Sequence, residues 1–254
     1  MKTLNETFRW GRFLLLAGAV SLSVGSCNLL PDDDDTNNNA NDPAANPPTP
    51  TFADGDGTLS AVKSMSFIDV PGIGQQSIEI GLGVAVFFDN GNTSSFVEAG
   101  AVSLEGEGLD LQDNNSYVSI PSQTNPTGID FSGNPSWSVG GAGNVGGFTH
   151  ETSIGFPSVG SITSSATVTN GNDYTLTVAN VSGADSVIFM LGGVVHTEAG
   201  NATSSTFTSA EISGMGTGAS FAQAAPYKIE EATVGGGDYW FVNERVVTQS
   251  VTIE

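Results

Sequence analysis

From Ser77 to Phe88 the even positions Ile78, Ile80, Leu82, Val84, Val86 and Phe88 are all apolar, while Ser77, Glu79, Gly81 and Gly83 stand at odd ones. Period two over twelve residues excludes a helix and predicts a strand with one buried face. Asp89-Asn90-Gly91-Asn92 follows, and an asparagine–glycine pair tolerates the positive φ that a two-residue hairpin turn requires, so a hairpin is expected there. Met65–Ile68, Phe96–Leu104, Leu109–Leu111, Tyr117–Ile120 and Trp137–Val139 read as further strands. Glycine, 33 of 254 residues, supplies the turns between them.

A second set of strands begins after Gly155-Phe156-Pro157-Ser158. Tyr174, Leu176 and Val178 alternate, as do Val187, Phe189 and Leu191; Thr203–Phe207, Ala219–Ile229, Tyr239–Val242 and Val246–Ile253 complete the set. No stretch keeps an apolar spacing of three and four, so helix is expected to be scarce. The exception is Thr208-Ser209-Ala210-Glu211, whose spacing is that of a capping box, with Ile212 following and Gly214 placed to stop the turn.

The fold class expected is therefore all-β: two tandem antiparallel β-sandwiches, at 59–154 and 155–254, preceded by a signal peptide and a tether. A single larger sandwich or jelly roll would use the same strands. Over 158–254 a short helical crossover before a long strand resembles the immunoglobulin-like sandwiches. The disulfide cysteines of antibody domains are absent, and Tyr227 is the candidate for a tyrosine corner.

The N-terminus sets the expected compartment. Lys2, Arg9 and Arg12 precede the apolar run from Phe13 to Val20, which is too short to span a bilayer and has the layout of a secretory signal over 1–26. Val24-Gly25-Ser26-Cys27 resembles a bacterial lipobox, and the resemblance implies cleavage before Cys27, acylation of its sulfur and amine, and a palmitate-type lipid anchor. Residues 27–58 are rich in Asp, Asn and Pro, too poor in apolar surface to offset their ordering entropy, and read as a disordered tether. Such a spacer would reach roughly 30 Å as a coil and roughly 100 Å when pulled straight.

Asp32, Asp33, Asp34 and Asp35, just after the cysteine, resemble the export signal of surface lipoproteins in Bacteroidetes-type bacteria. The implied location is the cell-surface face of the outer membrane, with the periplasmic face as fallback. Asp185-Ser186-Val187 resembles the short O-glycosylation motif of exported proteins from the same bacteria, with Ser186 as acceptor.

Charge narrows the partners. The formal net charge is −21; removing residues 1–26 leaves 26 acidic side chains against Lys63, Lys228 and Arg245, or −23. Such a chain repels phosphate backbones, and nucleic acid is excluded as a partner. The partners expected are the membrane, through the lipid anchor, and a protein or glycan.

Catalytic constellations are not visible in the sequence. His150 and His196 are the two histidines and read as lone surface side chains; no Gly-x-Ser-x-Gly elbow or phosphate-binding glycine motif occurs. Asp54 and Asp56 are the best calcium candidates, but they lack the remaining ligands of an EF-hand loop, so no cofactor is expected. Trp137 and Trp240 read as core residues rather than platforms for sugar rings. The function expected is that of a non-catalytic surface binding module. The alternative is a lipid-anchored, calcium-assisted hydrolase or glycan-active protein whose acids converge in three dimensions.

Overall fold

The computed structural model describes residues 55–70, 74–89, 92–119 and 121–254. It is mostly β, with several sheets and a single helix among the described residues. The first half contributes β1 (Gly57–Val70), β2 (Gly74–Asp89), β3 (Asn92–Phe96), β4 (Val102–Leu104), β5 (Glu107–Gly108), β6 (Asp110–Leu111), β7 (Tyr117–Val118), β8 (Ser136–Val139) and β9 (Phe148–Glu151). The second contributes β10 (Ser158–Val159), β11 (Thr167–Val168), β12 (Tyr174–Thr177), β13 (Val181–Ser182), β14 (Ser186–Leu191), β15 (Val194–Ala199), β16 (Ser204–Phe207), α1 (Ser209–Met215), β17 (Gly218–Val234) and β18 (Gly237–Ile253).

One ten-stranded sheet runs through both halves in the order β15-β14-β17-β18-β1-β2-β7-β6, with β11 on β18 and β3 on β2. Its centre joins the first and last strands of the described residues: β1 lies parallel to β18, with Gly57 opposite Tyr239 and Lys63 opposite Arg245. β17 and β18 form a long antiparallel hairpin closed by Gly235 and Gly236, both at positive φ. The stretch read as two strands, Tyr239–Val242 and Val246–Ile253, is thus one strand of 17 residues.

Two smaller layers cover one face of this sheet. The sheet β5-β4-β8-β9 closes a first core around Trp137, Leu104, Leu59 and Phe87, into which the last strand sends Tyr239 and Phe241. Phe87 meets Tyr117 and Tyr239 edge-on, at 5.8 and 6.0 Å between ring centroids. The pairs β12–β16 and β10–β13, with α1, close a second core around Leu176, Phe189, Phe207 and Ile212. To that core β18 sends Val247, Val251 and Ile253. Each buried aromatic or large aliphatic side chain contributes on the order of 1.5–3 kcal/mol.

The alternation in β2 has a different meaning from the one expected. Ala85 and Phe87, at odd positions, face the first core and are fully buried. Leu82, Val84, Val86 and Phe88, at even positions, point to the opposite face and are buried as well, Leu82 packing with Val62, Ala225 and Val246. Two faces are buried, not one. Small residues sit at the odd positions because other backbone presses on them: a Cβ on Gly81 would meet the Ile129 carbonyl oxygen at 1.8 Å, where Gly81 N–H donates to Thr127 O and Ile129 N–H donates to Gly81 O.

α1 starts as its spacing predicts. Thr208 is the N-cap, its hydroxyl accepts from Glu211 N–H, and the Glu211 carboxylate accepts from Thr208 N–H at 2.7 Å. Ile212 is the residue the helix buries. The helix runs past Gly214 to end at Gly216, whose φ is +76°. The tyrosines that reach back to the backbone are Tyr174, donating to Ser165 O at 2.7 Å, and Tyr117, whose hydroxyl accepts from Ala99 N–H at 2.9 Å, rather than Tyr227.

Candidate functional site

The sequence shows two histidines with no visible partner; in the folded chain each one is clasped by a glutamate brought from a distant element. In the first lobe His150, on β9, lies over the Phe241 ring at 4.3 Å between centroids, and its Nε2 is 2.7 Å from Glu230 Oε1 on β17. Glu230 Oε2 accepts from both the N–H and the hydroxyl of Ser153, each at 2.6 Å. One carboxylate thereby ties the covering sheet and the segment after it to the central sheet. Burial would raise the Glu230 carboxyl, but the hydrogen bonds from Ser153 and His150 outweigh it and hold the group below the usual glutamate value.

The second lobe repeats the chemistry. His196, on β15, stacks on Phe207 at 4.4 Å, and its Nε2 is 2.9 Å from Glu211 Oε1. Glu211 Oε2 accepts from the N–H and the hydroxyl of Thr208, the helix cap. The hydrogen bond with His196, helped by Thr208 N–H, lowers the Glu211 carboxyl. His196 Nδ1 is also 3.1 Å from Ser205 Oγ, which donates to Glu198 Oε1 at 2.7 Å.

Ser205, His196 and Glu211 thus stand in a line that looks like a nucleophile relay, yet the serine is ill placed for attack. It is 5% exposed, lies on β16 within the β12–β16 ladder, and its proton is committed to Glu198. This line holds β15, β16 and α1 together.

A third constellation sits between the two covering layers. On β18 the residues feeding the first core end at Phe241 and those feeding the second begin at Val247. Asn243 and Arg245 occupy the same face between them. Asn243 Nδ2 donates to Ile154 O at 2.6 Å, fixing the connecting segment. Arg245 and Lys63 both reach Glu79 on β2: Arg245 donates through Nη2, and Lys63 Nζ lies 3.8 Å from Oε1. Lys63 Nζ also donates to Phe131 O at 3.2 Å and lies 4.9 Å from the centroid of Phe156.

Lys228, opposite Asn243 on β17, belongs to this face and forms no ion pair among the described residues. All three cations of residues 55–254 are therefore gathered on neighbouring strands of one face. A pairing register that spans 182 positions, from Lys63 to Arg245, brings them together, and no local spacing signals it.

Of the residues singled out in the sequence, Val24, Gly25, Ser26, Cys27, Asp32, Asp33, Asp34, Asp35 and Asp54 lie outside the described residues. Asp56 is a clasp: its Oδ2 accepts from Asp238 N–H at 2.9 Å, and its own N–H donates to Asp238 O. Ser186 is 7% exposed, on the first residue of β14, with its hydroxyl donated to Asp185 O. Trp137 is 1% exposed in the first core. Tyr227 and Glu244 stand opposite each other on the other face of the sheet; burial raises the tyrosine, and it pushes the Glu244 carboxyl up to about 8. Among the described residues no three His, Cys, Asp or Glu side chains converge as a metal site would require, and no helix is long and apolar enough to cross a membrane. Compared with known proteins, the chain matches no family model and no curated sequence.

Proposed function

We propose that this chain is a lipid-anchored binding module of the bacterial cell surface, held by Cys27 and presenting a β-rich body to a protein or glycan partner without chemical turnover. The observation that carries this reading is the use of the reactive side chains. His150, His196, Ser153 and Ser205 are each spent on joining strands, through Glu230, Glu211 and Glu198. The body is two immunoglobulin-like sandwich lobes built on one continuous sheet, with β17 and β18 serving both. The tether ends earlier than residue 58, since Gly57 and Thr58 are already paired in β1, the central strand of that sheet, so a load on the anchor is taken up where the body is most extensively paired.

The test is crosslinking on intact cells with the tagged full chain, followed by recovery and identification of what is bound, beside membrane fractionation of the same chain and of Cys27→Ala. A stoichiometric partner that is lost with the soluble Cys27→Ala protein supports the reading. A Cys27→Ala protein that stays in the membrane fraction, or turnover of glycan substrates by the purified chain, overturns it.

A further inference from the structure

We propose that the far face of the central sheet, turned away from both covering layers, is a docking surface whose occupant in the unprocessed chain is the chain's own leader, residues 1–26. The face is already shut off from solvent. Val62, Leu82, Val84, Val86, Val242 and Val246 alternate with core-facing residues along β1, β2 and β18, and in the whole chain they are 2–6% exposed. The described residues that pack against them all belong to strands of the same sheet, and Val84 and Val86 enter neither core. A sheet face cannot bury itself, because side chains on it stand side by side with their ends open. Outside the described residues the chain has residues 1–54 and gaps of one to three residues, which leaves the N-terminal stretch as the cover.

Within 1–54 the chemistry divides at Cys27. Residues 27–54 hold three large apolar side chains, Leu29, Leu30 and Phe52, and no Lys, Arg or His, too little to cover such a face. The leader holds the apolar run from Phe13 to Val20, with Leu4, Phe8 and Trp10 before it. The face also buries an acid: Glu244 stands opposite Val62 and Tyr227, 4% exposed, and no described residue satisfies its Oε1 or the nearby Thr58 Oγ1. An occupant that brings donors as well as apolar surface suits it, and the leader carries Lys2, Arg9 and Arg12. Reach is sufficient, since residues 27–54 span about 30 Å as a coil against about 15 Å across β17, β18, β1 and β2. They also enter the sheet at the start of β1, in the middle of the face. Cleavage before Cys27 takes this cover away; that consequence rests on the processing proposed above, whereas the docking itself does not.

The test uses the unprocessed full chain, made in a membrane-free translation system with Cys27→Ser so that an introduced thiol is the only one, and reads the rate of its alkylation by N-ethylmaleimide. Val84→Cys places the thiol on the far face; Ala85→Cys, its neighbour on β2, places it in the first core and reports on the fold as a whole. Both should be protected in the parent. Leu14→Asp with Leu15→Asp should speed alkylation at Val84→Cys about tenfold or more and leave Ala85→Cys protected, while Leu29→Asp with Leu30→Asp changes neither. Rapid alkylation at Val84→Cys in the parent, or protection that survives the Leu14 and Leu15 substitutions, overturns the proposal. So does protection lost with the Leu29 and Leu30 substitutions, which would make residues 27–54 the cover, or protection that fades on dilution, which would make it a second copy. An equal rise at Ala85→Cys would show that the leader supports the whole fold instead of occupying one face, and overturns it as well. None of these failures touches the crosslinking outcome of the surface-module reading.

Discussion

His150 and Glu230 are 80 positions apart in the chain and 2.7 Å apart in the fold, and the same glutamate holds Ser153 through two further hydrogen bonds. The folded-state carboxyl is held below its ordinary value of 4.5, so its contribution is present above that pH and is lost as the pH falls through the lowered value. Glu230→Gln should therefore cost about 1–3 kcal/mol at pH 7 and clearly less at pH 3. Urea unfolding midpoints at the two pH values check this; an equal cost at both would show that the carboxylate charge is not what clasps His150.

Glu244 predicts the opposite pH dependence. A carboxyl raised by burial from 4.5 to about 8 keeps its proton in the folded chain while the unfolded chain releases it, so stability falls as the pH rises between those values. Glu244→Gln should match the parent near pH 4.5 and exceed it above pH 8, by up to about 5 kcal/mol at roughly 1.4 kcal/mol per pKa unit. Thermal melting across that range is the measurement, and a constant difference between the two proteins would contradict the assignment.

Gly81 tests close backbone approach. An added Cβ would lie 1.8 Å from Ile129 O, and the obstacle is backbone held in place by hydrogen bonds to Thr127 and Ile129. Gly81→Ala should cost about 3 kcal/mol or more, whereas Gly108→Ala, whose Cβ would meet nothing within 4 Å, should change stability by about 0.5 kcal/mol or less. Denaturant titration of the pair isolates the steric effect from the general cost of losing a glycine.

Phe241 and Val247 test whether the lobes are coupled. They lie six residues apart on one strand and belong to different cores. Phe241→Ala, at about 3–5 kcal/mol, and Val247→Ala should each displace a single calorimetric transition, with the van't Hoff and calorimetric enthalpies in agreement. Two resolved transitions, each moved by one variant alone, would mean that the lobes unfold separately.

The local grammar of this chain was legible in its sequence. The capping box at Thr208 and Glu211, the alternation at Tyr174 and Leu176, and the all-β class follow from rules acting over two to four residues, and the structure contains them. What could not be read is set by partners far away. The period-two pattern in β2 shows that its two faces differ, but not that the glycine-rich face would receive the loop around Ile129 while the apolar face meets Val62 and Val246. The histidines looked solitary because Glu230 lies 80 residues from His150, and because Glu211 is brought to His196 by a turn of helix. The pairing of Lys63 with Arg245 is the extreme case, since the two meet only through the parallel register of β1 and β18.

That register also decides when the molecule can exist. Leu59 and Phe87 are made early, yet the core they enter is closed by Tyr239 and Phe241, and the second core by Val247 and Ile253. A chain emerging from its N-terminus has no complete core to bury until the seventeen residues of β18 have appeared. It must then collapse in one late step governed by contacts of long sequence separation, which makes folding slow.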